Sequence, residues 1–386
     1  MSEPRIRPVS AAKRPLLRLL AAALATLFCL VPASPFATSS PEPPRPSLEA
    51  QIGQMLMVAF QGSHLPADHP ILADIRQRNL GGVILFNYGG NAQKPAGNIE
   101  SPTQLRALTT RLQKAAAIPL LIAIDQEGGR IVRLKQEFGF PATDSFQYLG
   151  QRNDPALTHD RSAIIARTLR RAGVNLNLSP VVDLDRNRHN PVIGGLERSF
   201  GEAPERVYRH ARQVILAHHA EGVLCALKHF PGHGSSAGDS HHGFVDVTDT
   251  WSADELLPYR KLIGEGLADV VLTAHVFNGR LDPQHPATLS APVIDGLLRG
   301  ELGFDGVVLS DDLTMGAITR HYTHAEAVER AIHAGVDILL IADSSAETTV
   351  RTIDVIRELV ARGAVSRERI EHSYRRILAL KQKLRR

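Results

Sequence analysis

From Leu48 onward the chain alternates short apolar runs with longer stretches whose apolar residues recur at helical spacing. The runs are QMLMVAF (54–60), GGVILFN (81–87), PLLIAID (119–125), VNLNLSPVVDLD (174–185), GVLCALKHF (222–230), ADVVLTAHV (268–276), DGVVLSDDL (305–313) and VDILLIAD (336–343). Short apolar runs bounded by polar residues predict strands buried on both faces. Between them PTQLRALTTRLQKAAA, a longer stretch ending in TLRRAG, and AEAVERAIHAG predict helices, the last with glycine as its stop signal. Eight strand–helix units over residues 48–386 predict an α/β fold of the (β/α)8 TIM-barrel type, a single catalytic domain with its chemistry at the C-terminal ends of the strands. An open doubly wound sheet is the alternative. No GxGxxG or P-loop follows any run, which weakens a nucleotide-binding reading.

The first 37 residues have a different character. Arg5, Arg7, Lys13, Arg14 and Arg18 stand against Glu3 and precede thirteen uncharged residues, Leu19 to Val31. A basic start followed by an apolar run too short to span a bilayer comfortably predicts an export signal at 1–37, or an uncleaved anchor. Residues 38–47, TSSPEPPRPS, read as an extended proline-rich linker. The formal charge of +4 resides in the signal, and the remainder carries 39 basic and 39 acidic residues. A neutral body argues against a nucleic-acid partner. Cleavage would leave Cys225 as the single cysteine, so no internal disulfide is expected in an oxidising, periplasmic or other extracytoplasmic compartment. The protein is expected to be a monomer whose membrane contact, if any, runs through the N-terminal segment.

Polar residues stand where a barrel would use them. DQEGGRIVR (125–133) follows the third run, KHFPGHG begins at Lys228 in the fifth, His275 ends the sixth, and Ser310-Asp311-Asp312 ends the seventh. A carboxylate closing an apolar strand is costly to bury without a partner, so each needs an ion pair, a cap or a substrate. KHFPGHGSSAGDSH (228–241), together with DQEGGRIVR, GGLERSFG (194–201), LTAHV (272–276) and GFDGVVLSDDLTMGAI (303–318), resembles the family 3 glycoside hydrolases. Within them it is similar to the single-domain β-N-acetylglucosaminidases that act on peptidoglycan fragments. The resemblance covers nearly all of the chain after the linker. The second α/β domain of the larger β-glucosidases is expected to be absent.

The resemblance implies Asp311 as nucleophile, with neighbouring Asp312 its rival on sequence alone. It implies His241 as acid/base, paired with Asp239, and Asp125, Arg133, Arg198, Lys228 and His229 as sugar-binding residues. These residue types suit a retaining glycosidase: an ionised carboxylate attacks the anomeric carbon, and a histidine near neutrality moves the proton in both steps. Glu127 and Arg130 are expected to form a structural pair outside the site. Ser235 stands where the family commonly has Asp, and the SSAG stretch of this loop is expected to be mobile and to close over substrate. No cofactor is expected. Other classes remain open: a barrel metallohydrolase using His229, His233, His241, His242 and Asp239, a sugar-binding protein without catalysis, and a β-glucosidase or a phosphorylase with phosphate as acceptor.

Overall fold

Each of the eight apolar runs contributes one strand to a single parallel sheet, in the computed structural model, which describes residues 46–87, 97–345 and 347–385. The predicted signal and the linker up to Arg45 lie outside the described residues. The barrel strands are β1 (Leu56–Ala59), β2 (Gly82–Leu85), β3 (Leu121–Ile124), β4 (Leu176–Asn177), β5 (Leu224–Phe230), β7 (Val270–Thr273), β9 (Val307–Leu309) and β10 (Leu339–Ile341). Two short strands, β6 (Val245–Asp246) and β8 (Val276–Phe277), pair separately above them. The sheet runs β10-β1-β2-β3-β4-β5-β7-β9. It closes where the amides of Asp337 and Ile338 donate to the Val308 carbonyl at 2.8 and 3.0 Å and Leu309 bridges to Ile338. Closure leaves no exposed sheet edge, and every residue of the eight strands is buried.

The fourth run behaves differently from the expectation of one long strand. Its ladder covers only Leu176 and Asn177, with one further bridge from Val181 to Lys228. Pro180 has no N–H to donate, and the asparagine side chains take over ladder positions. Asn175 Oδ1 accepts from the Ile122 amide at 2.7 Å, and Asn177 Oδ1 accepts from the Gln126 amide at 3.1 Å.

The helices are α1 (Leu48–Gln54), α2 (Pro70–Gln77), α3 (Pro102–Ala115), α4 (Phe146–Arg152), α5 (Pro155–Ala172), α6 (Pro204–Ala220), α7 (Leu257–Gly264), α8 (Gly316–Thr319), α9 (His324–Ala334), α10 (Thr348–Ala361) and α11 (Arg367–Gln382). Their boundaries follow local chemistry. Ser101 caps α3 and Asp154 caps α5, each accepting from first-turn amides and each followed by proline at the first helical position. Thr323 and Glu326 form a capping box on α9, and Gly335 ends that helix at φ 108°. A π-helical segment, Pro292–Glu301, packs beside α9. The last helix is fastened to the underside of the barrel by Lys381, whose buried Nζ donates to Gln54 Oε1 at 2.6 Å and to the Gly81 carbonyl at 2.7 Å.

Candidate active site

A cavity of about 610 Å³ opens at the C-terminal ends of the strands, and all eight sequence-predicted site residues line it: Asp125, Arg133, Arg198, Lys228, His229, Asp239, His241 and Asp311. One wall is a charge network rooted in β3 and β5. Lys228 Nζ donates to Asp125 Oδ1 at 2.6 Å and to Glu127 Oε1 at 2.7 Å. Arg198 clamps Glu127 with Nε at 2.8 Å and an NH2 bond at 2.7 Å, a bidentate geometry suited to a buried carboxylate. Burial opposes charge on Asp125, but Lys228 and Arg133 outweigh it and hold its pKa below the ordinary carboxylate range. Burial likewise opposes charge on Glu127, and Arg198 with Lys228 brings its pKa below the ordinary value. Glu127 and Arg130 are therefore not a pair, contrary to the expectation. Arg130 reaches Glu197 at 3.3 Å instead, and Glu127 turns inward to fix two of the predicted sugar-binding cations. The turn depends on Gly128 and Gly129, at φ 117° and 59°; a Cβ on Gly128 would stand 2.2 Å from the Asp144 carbonyl oxygen.

Beneath this wall lies Asp183, buried at the end of the fourth run and absent from the sequence-derived site. Its carboxylate accepts from the His229 amide at 3.2 Å, the His233 amide at 2.8 Å and His229 Nδ1 at 2.6 Å. His229 Nε2 faces Arg198 at 3.1 Å. Burial and the neighbouring Arg198 and Lys228 push the His229 pKa well down, so its imidazole is neutral, donating through Nδ1 and accepting through Nε2. With both nitrogens engaged, His229 forms cavity wall and orients Arg198.

The two adjacent aspartates after β9 separate cleanly. Asp311 lies half-buried in the cavity with one oxygen accepting from the Asp312 amide at 2.9 Å. Burial works against its charge, yet the neighbouring His275 and His241 lower its pKa below the ordinary carboxylate value. The Asp312 carboxylate is consumed by structure: it accepts from the Thr314 amide, the Ala342 amide and the Thr314 hydroxyl at 2.9, 2.9 and 2.7 Å. Burial raises its pKa. His275 is fully engaged below the pair, with Nδ1 at 2.8 Å from the Thr288 hydroxyl and Nε2 at 2.9 Å from the Asp312 carbonyl.

The loop after β5 brings the remaining pair. Asp239 Oδ1 accepts from the His241 amide at 2.9 Å and from His241 Nδ1 at 2.7 Å, an arrangement that leaves Nε2 for the cavity. Burial opposes charge on Asp239, and the His241 bonds lower its pKa below the ordinary value. The loop is seated on the segment that follows Asp311: the Gly316 amide donates to the His241 carbonyl and the Ala317 amide to the Ser240 carbonyl, both at 3.1 Å. Its near half is pinned, unlike the expectation of a mobile SSAG stretch. Ser235 and Ser236 are buried, and the Ser236 hydroxyl bonds His233 Nδ1 at 2.7 Å and Asn190 Nδ2 at 3.0 Å. His233 also holds Ser240 at 3.2 Å, so neither of its nitrogens faces substrate. These engagements scatter the proposed metal ligands, and among the described residues no three His, Cys, Asp or Glu side chains form a metal site.

Residues 47–380 match the Glycosyl hydrolase family 3 N terminal domain. The Beta-hexosaminidase of Alkalilimnicola ehrlichii is 38% identical over 296 residues, covering 75% of this chain and 80% of that protein. A solved family 3 β-N-acetylglucosaminidase from Paenibacillus sp. str. FPU-7 superimposes with a TM-score of 0.80 at 37% identity, covering 88% of this chain and 63% of the other. The β-N-acetylhexosaminidase of Beutenbergia cavernae does so with a TM-score of 0.78 at 28% identity, covering 87% of this chain and 98% of the other. The barrel, the cavity at its strand ends and these likenesses lead to one conclusion: the chain belongs to glycosyl hydrolase family 3 and is a glycoside hydrolase.

Proposed function

We propose that this enzyme removes terminal β-linked N-acetylglucosamine from glycans such as peptidoglycan fragments, with retention of configuration. The observation that carries the reading is the pairing, across one cavity, of an ionised half-buried carboxylate, Asp311, with a histidine whose Nδ1 is held by Asp239. The likeness to hexosaminidases and β-N-acetylglucosaminidases supports the sugar. In the first step Asp311 attacks the anomeric carbon while His241 gives its Nε2 proton to the departing oxygen. In the second, neutral His241 takes a proton from water, which displaces Asp311 from the glycosyl ester. Asp239 holds the His241 Nδ1–H, so that Nε2 is the nitrogen that gives the proton in the first step and takes it in the second. Asp125, Arg133, Arg198 and Lys228 offer charge-assisted bonds to sugar hydroxyls, with His229 and Glu127 setting the geometry of the cations.

His241→Ala tests this division of labour. Proton donation matters only for a poor leaving group, whereas water must be deprotonated whatever has left. The variant should release nitrophenol from an activated β-N-acetylglucosaminide in a burst and then stall, while an unactivated disaccharide is barely cleaved. Azide, which needs no base, should relieve the stall and give a β-glycosyl azide. Equal loss on both substrates with no burst would assign the acid/base elsewhere.

We also propose that the enzyme is exported. The support is the basic start, the thirteen uncharged residues Leu19 to Val31 and the proline-rich stretch before Leu48. Among the described residues no helix is long and apolar enough to cross a membrane.

A further inference from the structure

His275 follows β7, lies below the two aspartates that end β9, and has no part in the reaction described so far. Its ring is buried, as are Thr273, the last residue of β7, and Thr288, which the short 3-10 turn Ala287–Leu289 brings against it. Four contacts tie these groups together. His275 Nε2 lies 2.9 Å from the Asp312 carbonyl oxygen, and His275 Nδ1 lies 2.8 Å from the Thr288 hydroxyl. That hydroxyl also lies 2.9 Å from the Ala274 carbonyl oxygen and 2.8 Å from the Thr273 hydroxyl.

The protons of this cluster can be counted. A carbonyl only accepts, so Nε2 must carry a proton to bond Asp312. The Thr288 hydroxyl has a single proton, which the Ala274 carbonyl takes, and Thr273 then donates to the Thr288 oxygen. With the Thr288 proton spent, its contact with Nδ1 is a hydrogen bond only if Nδ1 carries a proton too. A neutral ring would set an imidazole lone pair against the hydroxyl oxygen or draw the hydroxyl proton away from the Ala274 carbonyl, and either leaves a buried polar group unpaired. All four bonds form together only around an imidazolium. A buried cation needs a counter-charge, and Asp311 supplies it. Burial opposes charge on Asp311, and His275 stands first among the neighbours that lower its pKa. Other ionisable groups of this region are engaged elsewhere: the Asp312 carboxylate with Thr314 and Ala342, Lys228 with Asp125 and Glu127, and His241 with Asp239. His229 on β5 is neutral.

We propose that His275 is a positioning residue held as an imidazolium beneath Asp311, where its charge makes Asp311 a better leaving group in the second step. The inference rests on Asp311 as the nucleophile. In the second step water attacks the anomeric carbon, its proton passes to His241, and the bond from that carbon to Asp311 breaks with its electron pair returning to the carboxylate. Negative charge develops on Asp311, and a fixed cation beside it favours the change. In the first step the carboxylate charge is spent instead, so the cation gives that step no help.

Two measurements test it. Nitrogen NMR of the full-length, histidine-labelled enzyme at neutral pH, with the signal assigned by its loss in His275→Gln, should show protons on both ring nitrogens of His275. Thr288→Val deletes the acceptor of the Nδ1 proton and should leave one, and Thr288→Ser should restore two. On a dinitrophenyl β-N-acetylglucosaminide, whose first step is fast, His275→Gln should lower kcat at least roughly tenfold, with KM falling in step so that kcat/KM holds or rises. Thr288→Val should share that pattern and Thr288→Ser should match wild type. Azide should speed His275→Gln no more than it speeds the wild type, because the defect lies in the departing carboxylate and the base is intact. Should His275→Gln fail to fold, the Thr288 variants assign the signal and decide both readouts. A single protonated nitrogen on His275 in the wild type would overturn the proposal whichever residue a trapped sugar labels, since protonation is read without turnover. So would a parallel fall of kcat and kcat/KM with KM unchanged, the mark of a merely structural loss.

Discussion

Asp311 and Asp312 are neighbours in sequence and unlike in every contact. Asp312 is spent on two amides and a hydroxyl that tie the end of β9 to the end of β10, whereas Asp311 spends one oxygen on an adjacent amide and keeps its carboxylate in the cavity. Asp311→Asn should therefore lower turnover at least roughly a thousandfold with little change in melting temperature. Asp312→Ala should do the reverse, costing about 1–3 kcal/mol of stability through orphaned buried donors. Turnover at a temperature where the variant is folded should remain within roughly tenfold of wild type. Steady-state kinetics and thermal denaturation on the two variants separate the roles, and a large kinetic loss from Asp312→Ala would reverse the assignment. The same level of detail shows what residue types alone conceal. Asp125, Lys228, His229 and Asp311 reach the cavity from strand ends, and Arg133, Arg198, Asp239 and His241 reach it from the loops that follow β3, the fourth run and β5. The expected Glu127–Arg130 pair does not form, because the partners of Glu127, Arg198 and Lys228, come from distant parts of the chain. Asp183 carries the same signal as Asp125, an aspartate near the end of an apolar run, and that signal points to it.

Among the elements, the loop from Pro231 to His242 carries the most consequence, because it presents His241 and Asp239 from a base that is locked down. Part of that lock is Glu255, whose Oε2 accepts from the Gly234 amide at 3.2 Å in a fully buried position. Burial, aided by the nearby Asp183 carboxylate, raises its pKa from 4.5 to about 8. A carboxyl whose folded pKa lies above its unfolded one binds more protons in the folded state between those values. Its contribution to stability is thus complete below about pH 4.5 and is lost as the pH climbs to about 8. The slope approaches about 1.4 kcal/mol per pH unit within that window. Glu255→Gln should flatten the fall in melting temperature from pH 5 to pH 8; an unchanged slope would remove Glu255 as its source. None of this was legible in the sequence, where the loop reads only as Gly- and Ser-rich. Burial of Ser235 and Ser236 is imposed by Asn190 and Glu255, which arrive from other parts of the chain. The strand after α5 is shorter than its pattern predicts for a related reason: residues 178–184 are all buried, but Pro180 and the asparagine side chains interrupt the ladder.

At the scale of the whole molecule the barrel was legible almost completely, since each strand is an apolar run and several helices carry their own caps and glycine stops. Closure between β9 and β10 follows once eight such units are in place. Catalytic groups then converge for a topological reason: parallel strands present all their C-terminal ends to one side. The basic start, uncharged run and proline-rich stretch predict where this molecule works. Fractionation of the native host should find it outside the inner membrane, with a mature terminus near Ala37 if the signal is cleaved. Full-length protein with Met1 intact in the cytosol would contradict export and leave the catalytic account untouched.

The most direct test of that account is covalent trapping of the intermediate. A ring-fluorinated N-acetylglucosaminyl fluoride slows both steps yet keeps a good leaving group, so the glycosyl ester should accumulate at one sugar per chain. Peptide mapping by mass spectrometry should place that sugar on Asp311. A label on Asp312, or inhibition with no covalent adduct, would contradict the assignment of Asp311 as the nucleophile.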